Sequence, residues 1–220
     1  MSYKLIININ QEGREFLIKN QQKIIIVHAP NKDDNFSIVS ASFHPFGNNN
    51  EIIFYDDFSL FVTSQKIVPF DTIKFNYKIN VPLGNIYSFN GVLFSNQGNA
   101  YSENVCGLNN QSQLNNLVAG IGQKIKINNN EQNSAIRITS IPKNQTTYFA
   151  PGTVIRIFVA KGINTNMIIP TSIQKNNFNR ILTPNISNIT IGNYLKIDVK
   201  LTKTITYNTS TNTFQISTVK

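Results

Sequence analysis

The chain is poor in charge, cysteine and histidine, and it contains no tryptophan. Charged side chains make up 14% of its 220 residues, well below the roughly one quarter that is usual for globular proteins. The single cysteine, Cys106, excludes an internal disulfide and a cysteine-based zinc site, because each needs more than one thiol. Two histidines cannot form a three-histidine metal centre. We therefore expect no metal and no cofactor.

Long apolar runs are also missing. No run approaches the roughly 18 apolar residues of a membrane-spanning helix. The first apolar stretch is shorter than a signal peptide requires and is interrupted by Asn8 and Asn10. The sequence therefore predicts synthesis without a recognisable signal peptide, followed by a cytoplasmic location or release by an unconventional route.

Common catalytic motifs do not occur either. There is no G-x-S-x-G, H-E-x-x-H or C-x-x-C pattern. The stretch Gly120-Ile-Gly-Gln-Lys124 lacks the spacing of a phosphate-binding loop, so we interpret it as a turn at the start of a domain. The remaining catalytic candidates are His28 and His44, each meeting a carboxylate distant in sequence. Because both histidines sit where apolar runs end before a proline, we expect strand ends and a protein that is not an enzyme.

Two adjacent carboxylate pairs, Asp33-Asp34 and Asp56-Asp57, are the only acidic clusters. Neither has the alternating oxygen ligands of a calcium loop. The second pair interrupts the apolar run IIFYDDFSLFV, which predicts a bulge or bend within a strand.

Alternation of apolar and polar residues is the dominant pattern. Asp71–Val81 places its apolar side chains on one face and its polar ones on the other, as does Leu195–Tyr207, and this period of two is typical of half-buried strands. Phe89-Asn-Gly-Val92 predicts a two-residue hairpin turn. Helical spacing occurs only in Gln111–Ile121. The sequence predicts an all-β protein with at most one short helix.

A weak internal repeat suggests how the strands are organised. Segments near residues 22–67 resemble segments near residues 123–163, at an offset close to 100 residues. The repeat predicts two tandem β-sandwich-like domains, at residues 1–100 and 122–220, joined by a linker or short helix at residues 101–121.

The basic residues are concentrated in the second half of the chain. Residues 1–110 contain 8 Lys and Arg against 9 Asp and Glu, whereas residues 111–220 contain 12 against 2. A cationic β domain attracts anionic surfaces, so we expect a lectin-like protein that binds surface glycans or anionic membranes. Nucleic acid is not favoured, because no basic helix or aromatic RNA-binding strand is present. The predicted binding residues are Lys196, Lys200, Lys203, Arg137 and Arg156, with Tyr148, Tyr194 and Tyr207 as stacking aromatics.

Two alternatives remain open. Thr202–Thr218 alternates around Asn208–Asn212, and such amphipathic hairpins are the inserting elements of β-pore-forming toxins. A nearly neutral half joined to a cationic half also permits head-to-tail contacts between copies. The chain could then be a homo-oligomer or a self-assembling, capsid-like or crystal-forming protein.

Overall fold

The fold is taken from a computed structural model, which describes residues 2–29, 35–171, 181–183, 186–189, 193–198, 200 and 202–217. The pair Asp33-Asp34 lies outside these residues. The described elements are, in chain order, β1 Ser2–Asn8, α1 Gln11–Lys19, β2 Lys23–His28, β3 Phe36–Phe43, β4 Asn49–Thr63, β5 Tyr77–Val81, β6 Asn85–Phe89, β7 Phe94–Asn99, β8 Cys106–Asn110, β9 Asn116–Ile127, β10 Asn130–Pro142, β11 Thr146–Phe149, β12 Val154–Ala160, β13 Ile168–Pro170, β14 Ile181–Thr183, β15 Ile186–Ile189, β16 Leu195–Asp198, β17 Lys203–Asn208 and β18 Thr213–Ile216.

The protein is all-β, as the alternation predicts, with eighteen strands and one helix in the described part of the chain. A seven-stranded sheet has the order β10-β9-β4-β1-β17-β18, with β5 also paired to β4. A five-stranded sheet has the order β13-β3-β2-β12-β16, and a four-stranded sheet the order β11-β8-β6-β7. Strands β14 and β15 form a separate pair.

Hydrogen bonding between strands crosses the predicted domain boundary. Strand β2 pairs with β12, strand β4 pairs with β9, and β1 runs parallel to β17. The segment at residues 101–121, predicted to be a linker, contributes β8 and the start of β9. The bounds of the two tandem domains stay a prediction from the repeat. The seven-, five- and four-stranded sheets each combine strands from both halves of the chain.

The sheets enclose separate apolar clusters that the long strands connect. The first half of β4, with Ile52 and Phe54, packs in a cluster shared with β2, β12 and α1. Its second half, with Leu60 and Val62, packs under the four-stranded sheet. Strand β4 thus belongs to both cores and holds the three sheets together.

A bulge divides β4 into these two halves. Its pairing with β9 shifts register between Phe54 and Phe58, so that Asp56 and Asp57 lie in the irregular part. The bulge predicted from the carboxylate pair is therefore confirmed. Within the bulge, the Gln123 side chain on β9 donates a hydrogen bond from Nε2 to the Tyr55 carbonyl at 3.0 Å, which is a normal length for such a bond.

The helix predicted in Gln111–Ile121 is wrong, because β9 occupies residues 116–127 as a strand paired on both sides. The described helix is α1, near the start of the chain. The Asn10 side chain caps it by accepting a hydrogen bond from the Gly13 amide at 2.8 Å, and Asn is among the preferred residues at this position. Its buried Leu17 anchors it to the core.

The stretch Leu195–Tyr207 is not one strand. Strand β16 pairs with β12 in the five-stranded sheet, whereas β17 pairs with β1 in the seven-stranded sheet. The chain therefore changes sheets between Asp198 and Lys203. The closing hairpin β17–β18 is present, and it turns Tyr207 and Phe214 into the core.

The β6–β7 hairpin is present, but its loop has four residues and not two. Phe89 pairs with Phe94, which leaves Asn90 to Leu93 as the loop. Gly91 adopts a φ of +104°, a conformation that favours glycine because it has no Cβ.

Candidate functional site

A cavity lies where the end of β2 meets β3, β10 and β11. Its volume is about 190 Å³. The polar residues that line it are His28, Ser37, Arg137, Thr139, Thr147 and Tyr148. We call it the β10 cavity. None of its described lining residues is acidic, so Arg137 sets the sign of the charge in its wall.

The orientation of Arg137 is fixed by the backbone around the cavity. Its Nε donates to the Ala150 carbonyl at 2.9 Å, and a terminal nitrogen lies 3.5 Å from the Ala29 carbonyl. The β9–β10 register shifts between Ala135 and Arg137. A bulge of this kind redirects the side chain that follows it. The bulge and the contacts with backbone carbonyls together fix the position of the Arg137 side chain.

His28 is the last residue of β2, as the sequence predicts, and it is buried. Its Nδ1 lies 2.9 Å from the Gly152 carbonyl oxygen. Because a carbonyl only accepts hydrogen bonds, the neutral imidazole carries its proton on Nδ1. Among the described residues Nε2 has no hydrogen-bond partner.

Burial lowers the pKa of His28 from 6.5 to about 4. The bond to Gly152 opposes this by raising the pKa, the Arg137 charge lowers it further, and the Gln123 side chain raises it. Gln123 Oε1 also lacks a hydrogen-bond partner in the described part of the structure. When the His28 ring is neutral with its proton on Nδ1, Nε2 is an acceptor, and so is Gln123 Oε1; two acceptors cannot form a hydrogen bond with each other. Because its pKa lies near 4, His28 is neutral near pH 7.

The cavity also contains hydroxyl groups. Ser37 is buried, and its Oγ finds no hydrogen-bond partner in the described ranges. Thr139 and Thr147 add two further hydroxyls to the lining. Buried polar atoms are usually satisfied by protein, water or ligand, so the cavity suits a polar occupant.

One exposed tyrosine lines this cavity and packs on a second exposed tyrosine outside the lining. Tyr148 lines it and packs edge-to-face on Tyr101, with ring centroids 4.7 Å apart and an interplanar angle of 71°. Tyr148 is 39% exposed and Tyr101 is 75% exposed. Exposed aromatic pairs give a rigid apolar surface with polar hydroxyl tips.

A second group of predicted residues meets on the five-stranded sheet. Arg156 on β12 pairs directly with Lys196 on β16. The Arg156 guanidinium also lies 4.8 Å from the centroid of the Tyr194 ring, within the range of a cation–π contact. Three of the eight predicted residues, Arg156, Tyr194 and Lys196, therefore form one group, which we call the Arg156 strip. Its contacts do not include Arg137 or Tyr148.

The other three predicted residues join neither group. Lys200 lines a second cavity of about 580 Å³ near the β4 bulge, together with Asp56 and Gln123. Lys203 lies on β17 opposite Leu5 of β1. Tyr207 is buried against Phe214 at a ring distance of 5.4 Å, so it cannot act as an exposed stacking residue.

The predicted binding residues do not include His28 and Ser37, which line the cavity, or Tyr101, which packs on Tyr148. Tyr101 lies in the segment at residues 101–121, for which the sequence predicts a linker. Ser37 lies among the alternating residues of β3, a pattern that does not distinguish a binding residue from any other strand residue. The sequence correctly predicts a strand end at His28, but this does not indicate which residues lie opposite it in the fold.

The described residues contain no group of three or more His, Cys, Asp or Glu side chains arranged to hold a metal ion. Within the same residues, no helix is both long enough and apolar enough to cross a bilayer. The buried Cys106 is a free thiol.

Comparison of the chain with protein-family models, with curated proteins and with solved structures finds no match in any of the three.

Proposed function

We propose that this protein is a non-enzymatic binding protein for acidic glycans and that the β10 cavity is its binding site. The observation that carries the proposal is the exposed Tyr101–Tyr148 pair, which adjoins a polar cavity with Arg137 in its wall.

The side chains of the site match the chemistry of a sugar. A sugar ring has apolar C–H faces that pack on aromatic rings, and Tyr148 offers such a ring at the cavity. Its hydroxyl groups need donors and acceptors, which Ser37, Thr139 and Thr147 supply. A carboxylate or sulfate group would be attracted by Arg137, since guanidinium groups recognise such anions well.

The size of the cavity favours a single ring. An engineered cavity of about 150 Å³ accommodates benzene, and the β10 cavity measures about 190 Å³. One acidic monosaccharide unit fits this space, and the next unit of the chain would lie along the tyrosine pair. The net charge of +9 adds long-range attraction for polyanionic glycans.

The proposal can be tested by titrating the protein with sialyllactose, a heparin-derived disaccharide and neutral lactose in a calorimeter at low salt. We expect at least one acidic ligand to bind more tightly than lactose. Tyr148→Ser should weaken that binding about tenfold, which corresponds to about 1.4 kcal/mol. Tyr194→Ser is the matched control, because Tyr194 is 40% exposed and belongs to the Arg156 strip.

Each contrary result has a clear meaning. If no acidic glycan binds, the proposal fails. If Tyr194→Ser weakens binding as much as Tyr148→Ser does, the site is not the β10 cavity. Chromatography of each glycan after long incubation should recover it intact, and cleavage would show that the protein is an enzyme.

A further inference from the structure

One end of the protein carries three exposed aliphatic side chains on two adjacent loops. Val92 and Leu93, in the β6–β7 loop, are 65% and 64% exposed, and Leu114, in the loop before β9, is 55% exposed. The two loops lie side by side, because the Gln111 amide donates to the Phe89 carbonyl at 3.0 Å. We call this surface the hairpin end.

The β6–β7 loop presents its apolar residues from a fixed backbone. The Asn90 side-chain oxygen accepts hydrogen bonds from the amides of Val92 and Leu93, at 3.0 and 2.9 Å. The backbone N–H of Asn90 in turn donates a hydrogen bond to the Leu93 carbonyl at 3.2 Å. A loop closed in this way holds both side chains outward, whereas an unrestrained loop could fold them back over the protein.

The hairpin end is basic as well as apolar. Lys143 donates from Nζ to Gln113 Oε1 at 3.0 Å, and its amide donates to the Asn115 carbonyl. Beside Leu114, a mainly apolar groove of about 490 Å³ is bordered by Lys66. Residues 63–67, 89–94, 111–118 and 140–143, which form this end, include no Asp or Glu.

We propose that the hairpin end docks on the surface of an anionic lipid bilayer. Exposed aliphatic side chains gain free energy by entering the boundary between headgroups and acyl chains, and nearby lysines are attracted to anionic headgroups. An acidic protein partner would use the charge but would not need two outward aliphatic residues on a tight turn. The surface is separate from the β10 cavity, so it adds a second interaction to the proposed glycan binding.

The test is co-sedimentation with vesicles of phosphatidylcholine containing about one third phosphatidylserine, compared with pure phosphatidylcholine. We expect binding to the mixed vesicles and much weaker binding to the neutral ones. The double variant Val92→Ser, Leu93→Ser should weaken binding at least tenfold. Phe46→Ser, which alters an exposed apolar residue of another loop, should leave it unchanged.

A second pair of measurements tests the charge. Lys143→Gln should weaken binding to mixed vesicles about fivefold, and added salt should weaken it further. Thermal melting by circular dichroism establishes that each variant is folded. Equal binding to neutral vesicles, full binding by the double variant, or no binding by the unaltered protein would each overturn the proposal. Tyr148→Ser should bind vesicles normally, which separates this result from the glycan test.

Discussion

Replacing His28 by Asn is expected to flatten the dependence of stability on pH below neutrality. In the folded protein burial holds the pKa of His28 near 4, whereas in the unfolded chain it lies near 6.5. Between these values the unfolded state binds a proton that the folded state does not. The contribution of neutral His28 to the free energy of unfolding is therefore complete above about pH 6.5 and is lost as the pH falls towards 4.

The size of the effect follows from the difference between the two pKa values. The difference of 2.5 between a pKa of 6.5 and one of about 4 corresponds to between about 3 and 4 kcal/mol, at about 1.4 kcal/mol for each pKa unit. Roughly 2 kcal/mol of this should already be lost near pH 5, where carboxylates still retain much of their charge. The variant removes the titrating group while its amide can still donate to the Gly152 carbonyl.

The assay is urea unfolding at a series of pH values from about 7.5 to 5. The variant starts from a lower stability, because it repacks a buried site, so the quantity to compare is the change with pH. His44→Asn is the matched control, since His44 is the other histidine and is exposed. Equal pH slopes in the original protein and in His28→Asn would refute the reasoning, as would a His28 ring that titrates near 6.5 by NMR.

Three further predictions concern buried groups. Gly120→Ala should lower the melting temperature by several degrees, because a Cβ there meets the backbone of β10, an overpacking that costs about 1–3 kcal/mol; Gly47→Ala, which has open space, should change little. Burial raises the pKa of the Cys106 thiol to about 12, so we expect iodoacetamide to modify it only after unfolding in urea, as mass spectrometry would show. Asn110→Ala should reduce the free energy of unfolding by about 1–3 kcal/mol, because it leaves buried carbonyl and hydroxyl partners unsatisfied; Asn99→Ala, on an exposed strand position, should have almost no effect by the same urea assay.

Local pattern predicted much of the fold. The alternation of side chains predicted the all-β class, although only Tyr77–Val81 of the stretch Asp71–Val81 forms a strand. The carboxylate pair at Asp56 marked the bulge in β4. Both follow from the period of a pleated strand, which depends only on neighbouring residues.

The errors arose where contacts distant in sequence decide the structure. Leu114, Leu117, Val118 and Ile121 have the spacing of a helix, yet β9 forms because it has hydrogen-bonding partners on both sides, and such pairing outweighs a weak helical preference. The Gly120 region, interpreted as a turn at the start of a domain, is inside this strand, where glycine allows β10 to approach closely.

The predicted site shows the same limit. Counting charges identified the basic half of the chain, but it could not show which cations share a surface. Arg137 and Tyr148 lie on β10 and β11 and line one cavity, whereas Arg156 meets Lys196 only because β12 and β16 are neighbours in a sheet. Both groupings depend on strand order, which the sequence pattern does not contain.

The parallel pairing of β1 with β17 brings Leu5 beside Lys203, and this has a consequence for biosynthesis. Ribosomes add roughly 5–20 residues each second. The edge of β1 that pairs with β17 therefore stays without its partner strand for on the order of ten to forty seconds during synthesis. Strand β2 likewise waits for β12. The nascent chain must therefore keep apolar strands with open edges from aggregating, and the contact order of the finished sheets predicts slow refolding from urea, in the range of milliseconds to seconds or longer.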